Sequence, residues 1–132
     1  MSVGVSGNLW PMTESLGEQF ARAVAAKDHT TVLRLLHPDV DFRAMTPSRI
    51  WEAEQPQDVV DALGIWFDDG DAIEELVELD SDHFADRERV GYRLRVNNDE
   101  GHHLVEQQAY LSERDGKIGW LRVMCAGYRP ID

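Results

Sequence analysis

The chain of 132 residues has a single cysteine, Cys125, so no disulfide can close within it. A lone thiol suits a reducing compartment, and a cytoplasmic location is expected. No apolar run approaches the roughly 18 residues that would read as a membrane-spanning helix. Basic residues are scarce, 13 Lys and Arg against 25 Asp and Glu, for a net charge of −12. Such a surface repels phosphate backbones and anionic bilayers, so neither nucleic acid nor membrane is expected as a partner. The five histidines, His29, His37, His83, His102 and His103, lack metal-ligand spacing. Even the adjacent pair His102-His103 would point to opposite sides of a strand, so no metal is expected. There is no glycine loop of the phosphate-cradling kind and no nucleotide fingerprint, hence no expected cofactor.

What remains is an ordinary globular composition, 42% hydrophobic and 29% charged, in a length that supports one core. Residues 1–12, MSVGVSGNLWPM, lack the basic start and apolar stretch of a secretory signal. They read as an arm that Trp10 would anchor. Residues 13–132 read as one domain.

Ser15-Leu16-Gly17-Glu18 has the form of a capping box, and the apolar spacing after it predicts a first helix. Asp28 caps a second, with Val32, Leu33, Leu35 and Leu36 inward, which His37-Pro38 ends. Alternation predicts a strand over 40–44 and a short one near 48–53. Pro56 opens a third helix over 57–67, with Val59, Val60, Leu63 and Trp66 or Phe67 buried. Four long strands follow, over 73–79, 89–96, 103–111 and 117–125. The expected turns are Asp80-Ser81-Asp82, residues 97–101 and Asp115-Gly116. Short connections of this kind join antiparallel neighbours. The fold class is α+β: a curved antiparallel sheet with three helices from the N-terminal half on one face.

Two segments, Phe20-Ala21-Arg22-Ala23-Val24-Ala25-Ala26-Lys27-Asp28 and Leu35-Leu36-His37-Pro38-Asp39-Val40-Asp41-Phe42, carry a resemblance, joined by Val105-Glu106-Gln107-Gln108-Ala109-Tyr110 and Asp115-Gly116-Lys117-Ile118. Over roughly residues 14–128 the chain resembles the nuclear transport factor 2-like superfamily, which includes SnoaL-like cyclases and ketosteroid isomerases. The resemblance implies a sheet wrapped into a cone, an α+β barrel closed by the helices, around a pocket for a small hydrophobic molecule. It also implies a homodimer through the outer sheet face. The isomerase branch's tyrosine donor falls at Phe20, its base near Ala44, and its second donor at Gln107 or Gln108. Phe20 and Ala44 can do neither job, so standard isomerase chemistry is not expected. The Arg-x-Asp pair of limonene-epoxide-hydrolase relatives meets Arg93-Leu94-Arg95, so that reaction is not expected either.

Alternation separates Leu104, Glu106, Gln108 and Tyr110 from Val105, Gln107, Ala109 and Leu111, and Leu121, Val123 and Cys125 from Trp120, Arg122 and Met124. The resemblance turns the first set of each strand inward. The pocket would then be lined by Phe20, Trp51, Trp66, Tyr92, Gln108, Leu121, Val123 and Cys125. Glu106 or Asp41 would serve as acid/base, with Tyr110 or Gln108 orienting a ring-containing substrate for an isomerase, cyclase or dehydratase. The competing reading makes Glu106 the cross-strand partner of Arg93 or Arg95, Asp41 the partner of Arg43, and the aromatics core. A second functional class stays open beside the enzyme: a dimeric interaction module whose pocket its own side chains fill. An open, hydrated interior would favour the first and a filled one the second.

Overall fold

The computed structural model describes residues 14–131. The arm at 1–12 and Trp10 lie outside them. Three helices, α1 (Leu16–Ala25), α2 (His29–Leu35) and α3 (Pro56–Trp66), pack on one sheet. Its strands are β1 (Leu36–Thr46), β2 (Arg49–Ala53), β3 (Ala72–Phe84), β4 (Arg87–Asn98), β5 (Gly101–Arg114) and β6 (Lys117–Pro130). Ser15 accepts from the Glu18 N–H while the Glu18 side chain takes the Ser15 N–H, completing the box at α1. Asp28 likewise accepts from the Thr31 N–H at α2, and Pro56 supplies the fixed φ that starts α3.

The sheet order is β2-β1-β6-β5-β4-β3. Neighbours are antiparallel except β1 and β6, which run parallel, so the sheet is mixed rather than purely antiparallel. The reason is topological. The first strand follows two helices and is reached by the last strand of the chain, not by a hairpin. The sheet stays open, with β2 and β3 as its edges, and makes a cone without closing into a barrel.

Asp80-Ser81-Asp82 is not a turn. β3 runs through it to Phe84, because Asp80 and Asp82 both face Arg89 on β4, and the reversal occurs at Ala85-Asp86. Curvature comes from register shifts in β3 and β6, since a bulge bends its strand. In β6 the shift near Ala126-Gly127, with Gly127 at φ +90°, changes parity. Tyr128 follows Cys125 toward the helices instead of Gly127.

The concave face carries Val90, Tyr92, Leu94 and Val96 of β4, Val105, Gln107, Ala109 and Leu111 of β5, and Leu121 and Val123 of β6, all buried. Phe20, Ala21 and Val24 of α1 and Val59 and Leu63 of α3 cover them. The Phe20 side chain is fully enclosed, and truncating such a ring to alanine costs about 3–5 kcal/mol.

Candidate functional site

β5 presents to the cone the face opposite to the one expected. Val105, Gln107 and Ala109 point inward, whereas Glu106 and Gln108 are exposed and Tyr110 is half-buried on the convex side. The cause lies in β4. Its apolar set, Val90, Tyr92, Leu94 and Val96, must face the helices, and the register places Tyr92 opposite Gln107 and Arg93 opposite Glu106. Arg93 Nε accordingly lies 3.1 Å from Glu106 Oε2, the cross-strand pair of the competing reading. Asp41 is also exposed. Its partner is Arg122, at 3.2 Å, and not Arg43, which faces Glu52. Neither carboxylate can touch a molecule inside the cone. Glu106, Gln108 and Tyr110 do share one open groove of about 220 Å³ between β5 and β6, whose lining also includes Gln107, Met124, Cys125 and Ala126.

The other expected lining residues lie on the concave side. Phe20 and Tyr92 are buried, as are Leu121 and Val123, while Trp51, Trp66 and Cys125 are partly buried against the core. Trp66, at the last turn of α3, packs edge-on to Trp51 with centroids 5.8 Å apart, and tilted to Phe42 at 6.3 Å.

Among these apolar walls stands one polar pair. The Tyr92 hydroxyl donates to Gln107 Oε1 across 2.7 Å. Burial holds the Tyr92 phenol far above its ordinary ionisation range, with the nearby Cys125 thiol acting in the same sense. Gln107 is 1% exposed, and its Nε2 has no partner. Trp66 Nε1 is likewise enclosed without an acceptor. Both nitrogens are enclosed by neighbouring side chains with almost no exposed surface of their own, although Gln107 also lines the groove between β5 and β6. The residues at the isomerase positions, Phe20 and Ala44, are buried and supply no acid, base or donor.

Where β4 finishes and β5 begins, the Tyr128 hydroxyl lies 2.6 Å from Trp66 O and 2.9 Å from Asp71 Oδ2, with its one hydrogen to donate between them. Burial, reinforced by the Asp71 bond, raises the Tyr128 phenol well above its ordinary value. Asn98 Nδ2 reaches Asp71 Oδ1 at 2.9 Å, and Lys27 Nζ reaches the carbonyls of Asp68, at 2.7 Å, and Asp71. Among the described residues no cluster of three or more His, Cys, Asp or Glu is arranged to hold a metal ion. Among them, too, no helix is long and apolar enough to cross a membrane.

The Tyr92–Gln107 pair is not among the residues expected to carry chemistry; Gln107 is a functional candidate in the sequence only beside Gln108, as a match for the isomerase's second donor. The signal was available: the clean apolar alternation of β4 fixes the inward face of its neighbour.

No family model and no curated protein matches the chain. Solved structures do. A proposed isomerase from Rhodopseudomonas palustris superposes with a TM-score of 0.70 at 14% identity, over 86% of this chain and 91% of that one. A Catenulispora acidiphila protein of ketosteroid isomerase-like fold, in complex with trimethylamine, gives 0.66 at 10%, over 84% and 85%. A proposed polyketide cyclase from Xanthomonas campestris gives 0.65 at 16%, over 83% and 86%. At these identities the likeness establishes the fold, which is that of the nuclear transport factor 2-like proteins, and leaves activity to the residues of the site.

Proposed function

From the nuclear transport factor 2-like cone that this chain carries, we propose that it binds a small, uncharged, ring-bearing molecule inside the cone, held by the side-chain amide of Gln107. The single observation behind this reading is the buried Gln107 Nε2 without an acceptor, its Oε1 being taken by Tyr92. Leaving such a donor unmade costs about 1–3 kcal/mol. A carbonyl, ether or epoxide oxygen on a ligand would offset that cost. An anion fits poorly, because the residues enclosing the pair on β4, β5 and β6 are apolar and offer no balancing cation. Trp51, Trp66 and Phe42 supply flat apolar area for a ring. A neighbour of similar fold is described in complex with a small molecule, trimethylamine.

Binding, rather than proton transfer, is what these residues favour. An isomerase, cyclase or dehydratase needs an acid or base in contact with its substrate, and Glu106 and Asp41 stand on the far side of the sheet. The filled interior requires side chains to yield on binding, and Trp66, half-buried and edge-on to Trp51, is the one we assign to move.

Thermal melting with a matched set of six-membered rings tests this reading: cyclohexanone and cyclohexene oxide against cyclohexylamine and cyclohexanecarboxylate. The two neutral acceptors should raise the midpoint of the wild type and leave that of the Tyr92→Phe/Gln107→Leu double variant unchanged. Equal shifts in both proteins, or none in the wild type, would overturn it.

The filled interior also supports a second reading, a dimeric module needing no ligand. Met45, Ile50 and Met124 are exposed together on the convex face, around one open groove of about 390 Å³. Charged pairs flank it: Arg122–Asp41 and Arg43–Glu52. An apolar centre with a charged rim is the usual make-up of a pairing surface. We propose that a second copy of the chain covers it.

A further inference from the structure

We infer that residues 66–71 form a gate over the end of the cone where β4 meets β5, latched by Lys27, Asn98 and Tyr128; this rests on the reading of the interior as a ligand chamber. The segment joins α3 to β3 and crosses the end of the sheet where Asn98 faces Gly101 and His103 faces Pro130. Its own backbone supplies little to hold it there. The Phe67 N–H reaches back to Leu63 O, and the Asp71 N–H to Asp68 O. Gly70 N donates to Asp68 Oδ1 within the same loop. Residues 68–70 are exposed.

The ties to the rest of the molecule come from side chains of three separate elements. Lys27, just beyond α1 in the left-handed region at φ +53°, places its ammonium on the Asp68 and Asp71 carbonyls. Asn98 at the end of β4 holds one oxygen of Asp71. Tyr128, turned inward by the bulge of β6, shares its one hydroxyl hydrogen between the other and the Trp66 carbonyl. Phe67 is buried against the ring of Tyr128 at 6.1 Å. Releasing the latch therefore loosens residues 68–71 and the backbone carbonyl of Trp66, the residue whose indole must give way for a ring to enter, while Phe67 stays packed in the core. A Lys27 ammonium on two carbonyls is a charge-assisted contact that carries no rotamer-locking core packing with it. It is suited to opening without unfolding the sheet. Lys27 and Tyr128 are positioning residues for the gate, not contacts of the ligand.

Hydrogen exchange on the full chain, without any ligand, tests the latch separately from the ligand reading. In Lys27→Met and in Tyr128→Phe the amides of Phe67, Gly70 and Asp71 should exchange about five- to tenfold faster, the factor that one lost hydrogen bond represents. The amides of Tyr92 and Gln107 in the central strands should keep their wild-type rates. Lys27→Arg, which retains the cation, should keep residues 66–71 slow. Unchanged exchange in both variants, or a uniform rise across the central strands, would overturn the gate. A silent melting panel with a latch that opens as described would instead remove only the ligand reading.

Discussion

Tyr92 and Gln107 face each other across β4 and β5 and share a 2.7 Å hydrogen bond in an otherwise apolar interior. Because each is buried, the two cannot be changed independently. Tyr92→Phe leaves both ends of the Gln107 amide unmade and should cost about 1–3 kcal/mol. Gln107→Leu strands the phenol and should cost a similar amount. Replacing both should be close to neutral, or stabilising, since no polar group is then left without a partner. Urea unfolding of the four proteins checks this. Additive losses would mean that the pair is not coupled.

Glu88 is buried at the start of α1, where it accepts from the Gly17 N–H at 2.9 Å and from the Ser15 hydroxyl. A Cβ on Gly17 would lie 2.6 Å from Glu88 Oε2. Alanine is the better helix former by about 1 kcal/mol, yet Gly17→Ala should lower the melting midpoint because the carboxylate must leave its donors. In a Glu88→Ala background the same substitution should become stabilising. A gain in the wild-type background would show that the close approach does not matter.

Both interior phenols are pushed above the ordinary tyrosine value of 10.0, chiefly by burial. The neutral form is thus favoured by the fold. The resulting stability is fully present below pH 10 and declines as pH rises past that value, where the unfolded chain ionises first. Chemical denaturation followed from pH 8 to 11.5 should show this decline. In Tyr92→Phe/Gln107→Leu it should be shallower, with one titrating phenol gone. Identical slopes would contradict the burial of Tyr92.

If the convex face pairs two copies, Met124→Asp places a charge at the centre of the patch. Light scattering at micromolar concentration should give a dimer for the wild type and a monomer for the variant, with an unchanged melting curve at high dilution. A monomeric wild type would remove the pairing surface.

Much of the architecture was legible in the sequence because its signals are local. Ser15-x-x-Glu18, Asp28, Pro56 and Asp115-Gly116 each act within a few residues, and each stands at the helix start or turn it was read to mark. The inward face of β5 was not legible from β5 alone. Val105, Gln107 and Ala109 alternate with Glu106, Gln108 and Tyr110, so both faces mix amide and apolar groups. Only the pairing with β4, where Val90, Tyr92, Leu94 and Val96 alternate with Arg89, Gly91, Arg93 and Arg95, decides between them, and that is information from a neighbouring strand. The β6 bulge that turns Tyr128 inward was hidden for a similar reason: period-two counting fails across an inserted residue. The Asp80–Asp82 segment looked like a turn by composition, and only its partner Arg89 makes it a strand.

The side-chain amide of Gln107 reports most directly on whether the cone holds a ligand. In a ¹H–¹⁵N correlation spectrum, its NH₂ pair should shift progressively as cyclohexanone is added, while the amides of Glu106 and Gln108 on the convex face stay in place. If the convex-face signals move and the Gln107 pair does not, the molecule binds outside the sheet and the interior site is refuted.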